Sequence, residues 1–124
     1  MTVLVDSDIL IEVSRGRNRD VVKQWLELCR SEDRVLYSPV TAAELWAGAL
    51  PEEHRTLAAL FAALECVGID AATGKLAGDY LRLFHRSHHV ELGDALIAAS
   101  AVRSEASLWT RNRKHFPMAE LQFY

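Results

Sequence analysis

Four oxygen-bearing side chains border apolar stretches of this sequence. Asp6 directly follows VLV, Glu44 lies within TAAELWAG, Asp94 heads the run ALIAAS, and Asn112 comes shortly after LWT. Carboxylates that converge raise one another's pKa, and a site that keeps them together usually holds a cation. Oxygen ligands without clustered Cys or His favour Mg²⁺ or Mn²⁺. Such an ion can activate water for attack on a phosphoryl group, so the chemistry expected is metal-dependent phosphodiester hydrolysis.

Most of these acids also have a purely structural explanation. Asp94 follows Gly93 and precedes a helical run, where an N-cap is worth roughly 1 kcal/mol. Asp8 is interpreted as the cap of the first short helix, and Glu44 can pair with an arginine. Asp6 is the hardest to explain in this way, because a charge at the end of a buried strand is rarely left unpaired. The combination of acids favours the chemical interpretation.

The elements that must position these residues alternate between short apolar strands and helices. Strands are predicted at 3–5, 35–37, 66–69 and 108–110, with a fifth at 121–124. Helices are predicted at 7–13, 20–30, 41–49, 53–64, 70–85 and 90–105, with a break at 38–39. This alternation is typical of a parallel sheet covered on both faces. The sequence therefore predicts a single domain over residues 1–124, a three-layer α/β/α fold with a mainly parallel sheet of four to five strands.

The order of these elements brings the polar residues toward one place. In parallel α/β sheets the ligand site lies beyond the carboxyl ends of the strands. Asp6 ends the first strand, Glu44 lies in the helix after the second, and Asn112 follows the fourth. Asp94 opens the helix that leads into the fourth strand. We expect the four side chains to face one crevice.

Composition and charge narrow the function classes. Half of the 124 residues are apolar and a quarter are charged, as in ordinary globular proteins. A formal net charge of −3 argues against nucleic-acid binding over the whole surface, which needs clustered Lys and Arg. Local basic clusters do occur, at Arg15, Arg17 and Arg19 and at Arg111, Arg113 and Lys114.

The sequence predicts a cytoplasmic protein, both from its lack of a membrane span or secretory signal and from its cysteines. No apolar stretch is long enough to cross a bilayer, and the N-terminus does not resemble a secretory signal. Cys29 and Cys66 have no metal-type spacing, which is typical of a reducing compartment, and both are interpreted as small buried hydrophobic residues.

His85, His88 and His89 could share one helix face, which raises the possibility of a zinc site. They lack a Cys or acid at zinc-finger spacing, so a solvent-facing helix end is the favoured interpretation.

Four blocks carry a family resemblance. VLVDSDILIEV, TAAELWAG, LGDALIAASA and LWTRNRKHF, in this order, resemble the PIN-domain family, and in detail the small VapC-type toxins of bacterial toxin–antitoxin pairs. The resemblance spans the whole chain. It implies a parallel sheet between helices, Mg²⁺- or Mn²⁺-dependent endoribonuclease activity, and metal ligation by Asp6, Glu44 and Asp94. Asn112 falls at a fourth position that is Asp in many members and Asn in others.

The neutral Asn112 departs from the all-acidic pattern, so we expect one tightly held ion before RNA arrives. Arg111, Arg113 and Lys114 flank Asn112 and are candidates for RNA contacts, although a solvated turn explains each of them equally well.

The resemblance also implies protein partners. It implies a homodimer and a VapB-type antitoxin that binds in a hydrophobic groove and forms a higher complex. Part of the apolar surface of two neighbouring helices would form that groove, although most of its residues are predicted to be core: Trp46, Leu50, Leu57, Leu60, Phe61 and Leu64.

Two other functions remain open. The first is a non-catalytic PIN-like binding module, which the loss of one acid would have favoured; all three are present. The second is a PIN nuclease of RNA processing, which the absence of additional domains in this short chain disfavours.

Overall fold

The computed structural model describes every residue from Met1 to Tyr124 and contains five strands and six α-helices. The strands are β1 (Thr2–Val5), β2 (Arg34–Tyr37), β3 (Glu65–Cys66), β4 (Ser107–Trp109) and β5 (Gln122–Phe123). The helices are α1 (Ser7–Arg15), α2 (Arg19–Arg30), α3 (Pro39–Gly48), α4 (His54–Ala62), α5 (Ala71–His88) and α6 (Leu92–Arg103). Two short 3-10 turns cover Pro51–Glu53 and Arg113–His115.

The five strands form one wholly parallel sheet in the order β3-β2-β1-β4-β5. Leu4 of β1 lies opposite Leu36 of β2 and Leu108 of β4. The chain moves from β1 to one side of the sheet and later returns to the other side, so the strand order reverses at β1. A ligand crevice is expected outside the carboxyl end of the strands at such a point.

Side chains of β1 alternate between two hydrophobic cores. Val3 and Val5 point into the core under α1, α2, α3 and α4, whereas Leu4 points into the core under α5 and α6. All three side chains are almost completely shielded from solvent. Helices therefore cover both faces, and the predicted three-layer α/β/α fold with a parallel sheet is confirmed.

Helix α6 is buried on most sides, as its nearly all-apolar sequence predicts. Ala95, Ala98, Ala99 and Ala101 are fully buried. Their small side chains let the helix lie close to both the sheet and α5, within one continuous core. The packing fixes the N-terminus of α6, and Asp94 with it, beside the end of the sheet.

Most boundaries differ from the sequence prediction by one to three residues, among them those of α3, β3 and α5. Helix α3 begins at Pro39, because the Ser38 hydroxyl accepts a hydrogen bond from Val40 N at 3.1 Å and proline suits the first helical position. Strand β3 has two residues in place of four. Helix α5 runs on to His88 and ends where His89 adopts a left-handed conformation, with φ 54°.

The two cysteines are exposed free thiols, so the prediction that they are buried is wrong. Cys29 lies near the end of α2, and Cys66 on the edge strand β3, where neither is covered by a further layer. The three histidines predicted at a solvent-facing helix end are exposed there. None of the helices has both the length and the apolar character that crossing a membrane requires.

Candidate active site

A cleft of about 580 Å³ opens at the carboxyl end of the central strand β1. The four residues singled out in the sequence, Asp6, Glu44, Asp94 and Asn112, all line it. The remaining lining residues are Ser7, Asp8, Ile11, Val40, Glu91, Gly93, Ile97 and His115. The fold thus gathers side chains that are up to about a hundred positions apart in the chain.

Asp6 is the most buried acid of the cleft, with 9% of its surface exposed. Its Oδ1 accepts from Ser7 N at 2.8 Å, which caps α1, and its Oδ2 accepts from the Thr110 hydroxyl at 2.8 Å. Burial and, next, the charge of Asp8 raise the pKa of Asp6 from 3.8 to about 6. The carboxylate is therefore ionised at neutral pH in surroundings that disfavour its charge.

Asp8 does not cap α1, so that interpretation is wrong. Helix α1 begins at Ser7, two residues earlier than a cap at Asp8 would allow, and Asp6 takes the capping position with extended backbone. Oδ2 of Asp8 instead accepts a hydrogen bond from Arg111 N at 3.0 Å, while its Oδ1 is buried without a hydrogen-bond partner. Burial raises the pKa of this carboxyl as well.

Glu44 reaches the cleft from the middle of α3. Its Oε1 accepts from the Ser7 hydroxyl at 3.2 Å, and that hydroxyl lies 3.0 Å from Thr41 Oγ1. No arginine forms an ion pair with Glu44, which removes the structural explanation offered for it. An exposed carboxylate on an otherwise apolar helix is thus directed to the cleft.

Asp94 lies in the first turn of α6, whose N-cap is Glu91. Its Oδ2 accepts from Glu91 N at 3.2 Å, the reciprocal bond of a capping box, so the capping role is real but differs from that of an N-cap. The same oxygen lies 3.5 Å from Nδ1 of His115. This end of α6 is close to α3, since a Cβ added at Gly93 would lie 3.9 Å from Glu44 Oε1.

The basic residues around Asn112 do not line the cleft. Arg111 lies 3.6 Å from Oε1 of Glu12, and the guanidinium of Arg113 stacks 4.8 Å from the centre of the Phe123 ring. Lys114 is exposed. The two arginines therefore have structural partners, and their contact with RNA stays a prediction.

Three polar residues of the site were missed in the sequence. Ser7 and Thr110 hold the carboxylates of Glu44 and Asp6, and His115 faces Asp94. Ser7 lies between two acids and Thr110 directly follows an apolar strand, so the sequence around each of them indicated that it lies near the site. His115 carried none, because its approach to Asp94 depends on the fold of the turn at Arg113–His115.

The donors of the cleft fit a hard divalent cation by their chemistry. No three acidic, histidine or cysteine side chains lie close enough together in this structure to enclose an ion. The carboxylates are instead engaged by hydroxyl and amide groups. The donor set is nevertheless dominated by oxygen, and burial, followed by the charge of Asp8, raises the pKa of Asp6, a penalty on the charged form that a bound cation would offset. Asp6, Glu44 and Asp94 are the ligands that the family resemblance implies for such an ion.

The fold and the cleft define a class: a parallel three-layer α/β/α domain with an acidic site at the carboxyl end of its central strand. The chain belongs to the PIN domain family, which matches it over residues 3–121.

Individual relatives agree with this assignment. The chain is 38% identical over 119 residues to Ribonuclease VapC10 of Mycobacterium tuberculosis, a match that covers 95% of this chain and 88% of that protein. A toxin–antitoxin complex from Klebsiella pneumoniae contains a chain 27% identical with a TM-score of 0.71, covering 96% of this chain and 94% of that one. VapBC2 from Rickettsia felis, bound to a DNA fragment of its promoter, matches with a TM-score of 0.83 at 20% identity, covering 100% and 98%, and shows the shared fold.

Proposed function

We propose that residues 1–124 act as one PIN nuclease domain, a metal-dependent endoribonuclease that hydrolyses RNA phosphodiester bonds as the toxin of a type II toxin–antitoxin system. The observation that carries the proposal is the buried carboxyl group of Asp6, which shares one cleft with Glu44 and Asp94. A nearly full-length relative named as a ribonuclease supports the choice of RNA.

Each side chain has a proposed task in that reaction. A bound Mg²⁺ or Mn²⁺ would activate water and stabilise charge on the phosphoryl group. Asp6, Glu44 and Asp94 would hold the ion, as the family resemblance implies. Thr110 keeps Asp6 in place through a 2.8 Å hydrogen bond, and Asn112 offers a neutral oxygen suited to positioning water or phosphate.

An exposed apolar surface supports a protein partner. Trp46 of α3 and Leu50 just beyond it are 39% and 56% exposed, so they are the two of the six predicted apolar positions that lie outside the core. Leu57 and Phe61 are buried beneath them, and Leu60 and Leu64 are partly buried. We propose that a helix of a VapB-type antitoxin packs on Trp46 and Leu50, close to Glu44.

The proposed setting of the complex is the cytoplasm. The two exposed thiols, Cys29 and Cys66, suit a reducing compartment. A homodimer, the commonest symmetric assembly, would present two clefts to RNA and two apolar surfaces to the antitoxin.

RNA cleavage by the purified, partner-free chain tests the activity. A labelled single-stranded RNA should be cut internally with Mg²⁺ or Mn²⁺ and left intact in EDTA. Asp6→Asn should abolish cleavage, because it removes a charged ligand. Asp70→Asn is the matched control, since Asp70 is an exposed acid that caps α5 and Asn caps equally well. Cleavage that persists in EDTA, or in Asp6→Asn, would contradict the proposal; RNA binding without any cleavage would support the non-catalytic module.

Co-purification tests the partner. The chain should be retained by the tagged product of a small neighbouring gene, and Trp46→Ser should weaken that retention. Leu83→Ser is the control, because Leu83 is 59% exposed on α5, which packs in the other core. Equal retention of both variants would place the antitoxin elsewhere, and the lack of any such gene product would favour a nuclease of RNA processing.

A further inference from the structure

The segment from Thr110 to Asn112 connects β4 to the rest of the cleft without regular structure. The last ladder pairing of β4 joins Trp109 to Val5, and Asn112 has irregular backbone angles, φ −125° and ψ 52°. Beyond this segment come two cleft residues, Asn112 itself and His115. Something other than the sheet must therefore fix where those two side chains lie.

Besides the backbone bond from His115 N to Asn112 O at 3.0 Å, side chains provide hydrogen bonds to this segment. Arg111 N donates to Asp8 Oδ2 at 3.0 Å, and Asn112 N donates to Thr110 Oγ1 at 3.0 Å. The Thr110 hydroxyl in turn donates to Asp6. Asp8 thus holds the backbone of a segment 103 positions away in the chain.

We propose that Asp8 is a positioning residue: its carboxylate fixes the segment from Thr110 to Asn112, so that Asn112 lines the cleft and His115 lies 3.5 Å from Asp94. The effect of Asp8 on catalysis rests on the proposed nuclease function, whereas its structural role does not. The bond to Arg111 N uses one oxygen of Asp8, so an amide oxygen can replace it. The requirement at this position is an acceptor, and not a negative charge.

Two substitutions separate the acceptor from the charge. Asp8→Ala removes both, and should lower kcat for RNA on the order of 100-fold, the size expected when a reacting group is displaced by about 1 Å. Asp8→Asn keeps the acceptor and should restore most of that loss. If Asp8 were a metal ligand, Asp8→Asn would be as inactive as Asp8→Ala and would bind Mg²⁺ more weakly by calorimetry, and the proposal would be overturned.

Hydrogen–deuterium exchange tests the positioning without any RNA. The peptide that covers residues 110–116 should exchange faster in Asp8→Ala and at the wild-type rate in Asp8→Asn. Asp70→Ala is the matched control, because Asp70 also binds a backbone amide, Thr73 N at 2.9 Å, but at the start of α5. It should loosen that end of α5 and leave both the segment and RNA cleavage unchanged.

The exchange measurement and the cleavage measurement test the positioning role and the nuclease function independently. Unchanged exchange of residues 110–116 in Asp8→Ala would overturn the positioning role, whatever the enzyme cleaves. Faster exchange together with a wild-type protein that cuts no RNA would leave the positioning intact and count against the nuclease function.

Discussion

Asp6→Asn should make the metal-free protein more stable while it abolishes cleavage. The pKa of Asp6 is raised from 3.8 to about 6, chiefly by burial and then by Asp8. At 1.36 kcal/mol per pKa unit, ionising this group in the fold costs about 3 kcal/mol of stability above pH 6. Asparagine removes the charge and still accepts from Ser7 N as an N-cap.

The net gain should be smaller than this upper figure. Thr110 now donates to the second carboxylate oxygen of Asp6. In Asp6→Asn that place holds the amide NH2, which donates to the Thr110 hydroxyl, and exchanging the charged bond for a neutral one loses about 1 kcal/mol. We expect a gain of about 1–2 kcal/mol at pH 7.5, or roughly 4–8 °C in Tm for a chain of this size.

The difference between the two proteins should depend on pH. Because the pKa of Asp6 is higher in the fold than in the unfolded chain, its protonation stabilises the native state, and this stability is lost as pH rises through about 6. The advantage of Asp6→Asn should therefore be largest above pH 7 and shrink to nothing near pH 4. Acids distant from Asp6 titrate equally in both proteins and cancel in the comparison, whereas Asp8 and Asp94, whose charges act on Asp6, lose that repulsion in Asp6→Asn and add to its advantage above pH 7.

Thermal unfolding in EDTA, followed by fluorescence of the three tryptophans from pH 4 to 8, provides the measurement. Added Mg²⁺ should then stabilise the wild type, by about 2.7 kcal/mol at a hundredfold excess over Kd, and leave Asp6→Asn nearly unchanged. Asp70→Asn should not be stabilised at any pH, because hydrogen bonds from Thr73 lower the pKa of Asp70. A less stable Asp6→Asn at pH 7.5, or an advantage independent of pH, would refute the reasoning.

Three further substitutions, at two residues, test other parts of the cleft. Asp94→Asn keeps an oxygen that accepts from Glu91 N, so the variant should unfold at nearly the wild-type temperature. It should nevertheless lose RNA cleavage, because a charged ligand is removed. A variant that still cleaves RNA but has a lower Tm would show that Asp94 serves only to cap α6. Asn112→Ala should reduce cleavage less than Asp6→Asn does across a Mg²⁺ titration, because it removes a neutral oxygen and not a charged ligand. Asn112→Asp should keep cleavage and bind Mg²⁺ more tightly, because it adds a negative charge. Equal inactivity of Asn112→Ala and Asp6→Asn at every Mg²⁺ concentration would make Asn112 an essential ligand.

The sequence was sufficient for the layers of the fold. Four strands and six helices occur where apolar runs and helical periodicity indicated them, and β5 ends the chain as expected. The carboxyl-end rule also placed Asp6, Glu44, Asp94 and Asn112 along one cleft. Both inferences depend on patterns within a few consecutive residues, which local backbone sterics and burial impose.

Only the tertiary structure decided how each polar group is engaged. Asp6 meets Thr110 and Asp8 meets Arg111 because β1 and β4 are neighbours in the sheet, although 104 and 103 positions separate the partners. Exposure of Cys29 and Trp46 likewise depends on which surfaces lack a covering layer. Hydrogen bonds and burial of this kind follow from strand order, and strand order is a property of the packed chain that no local pattern contains.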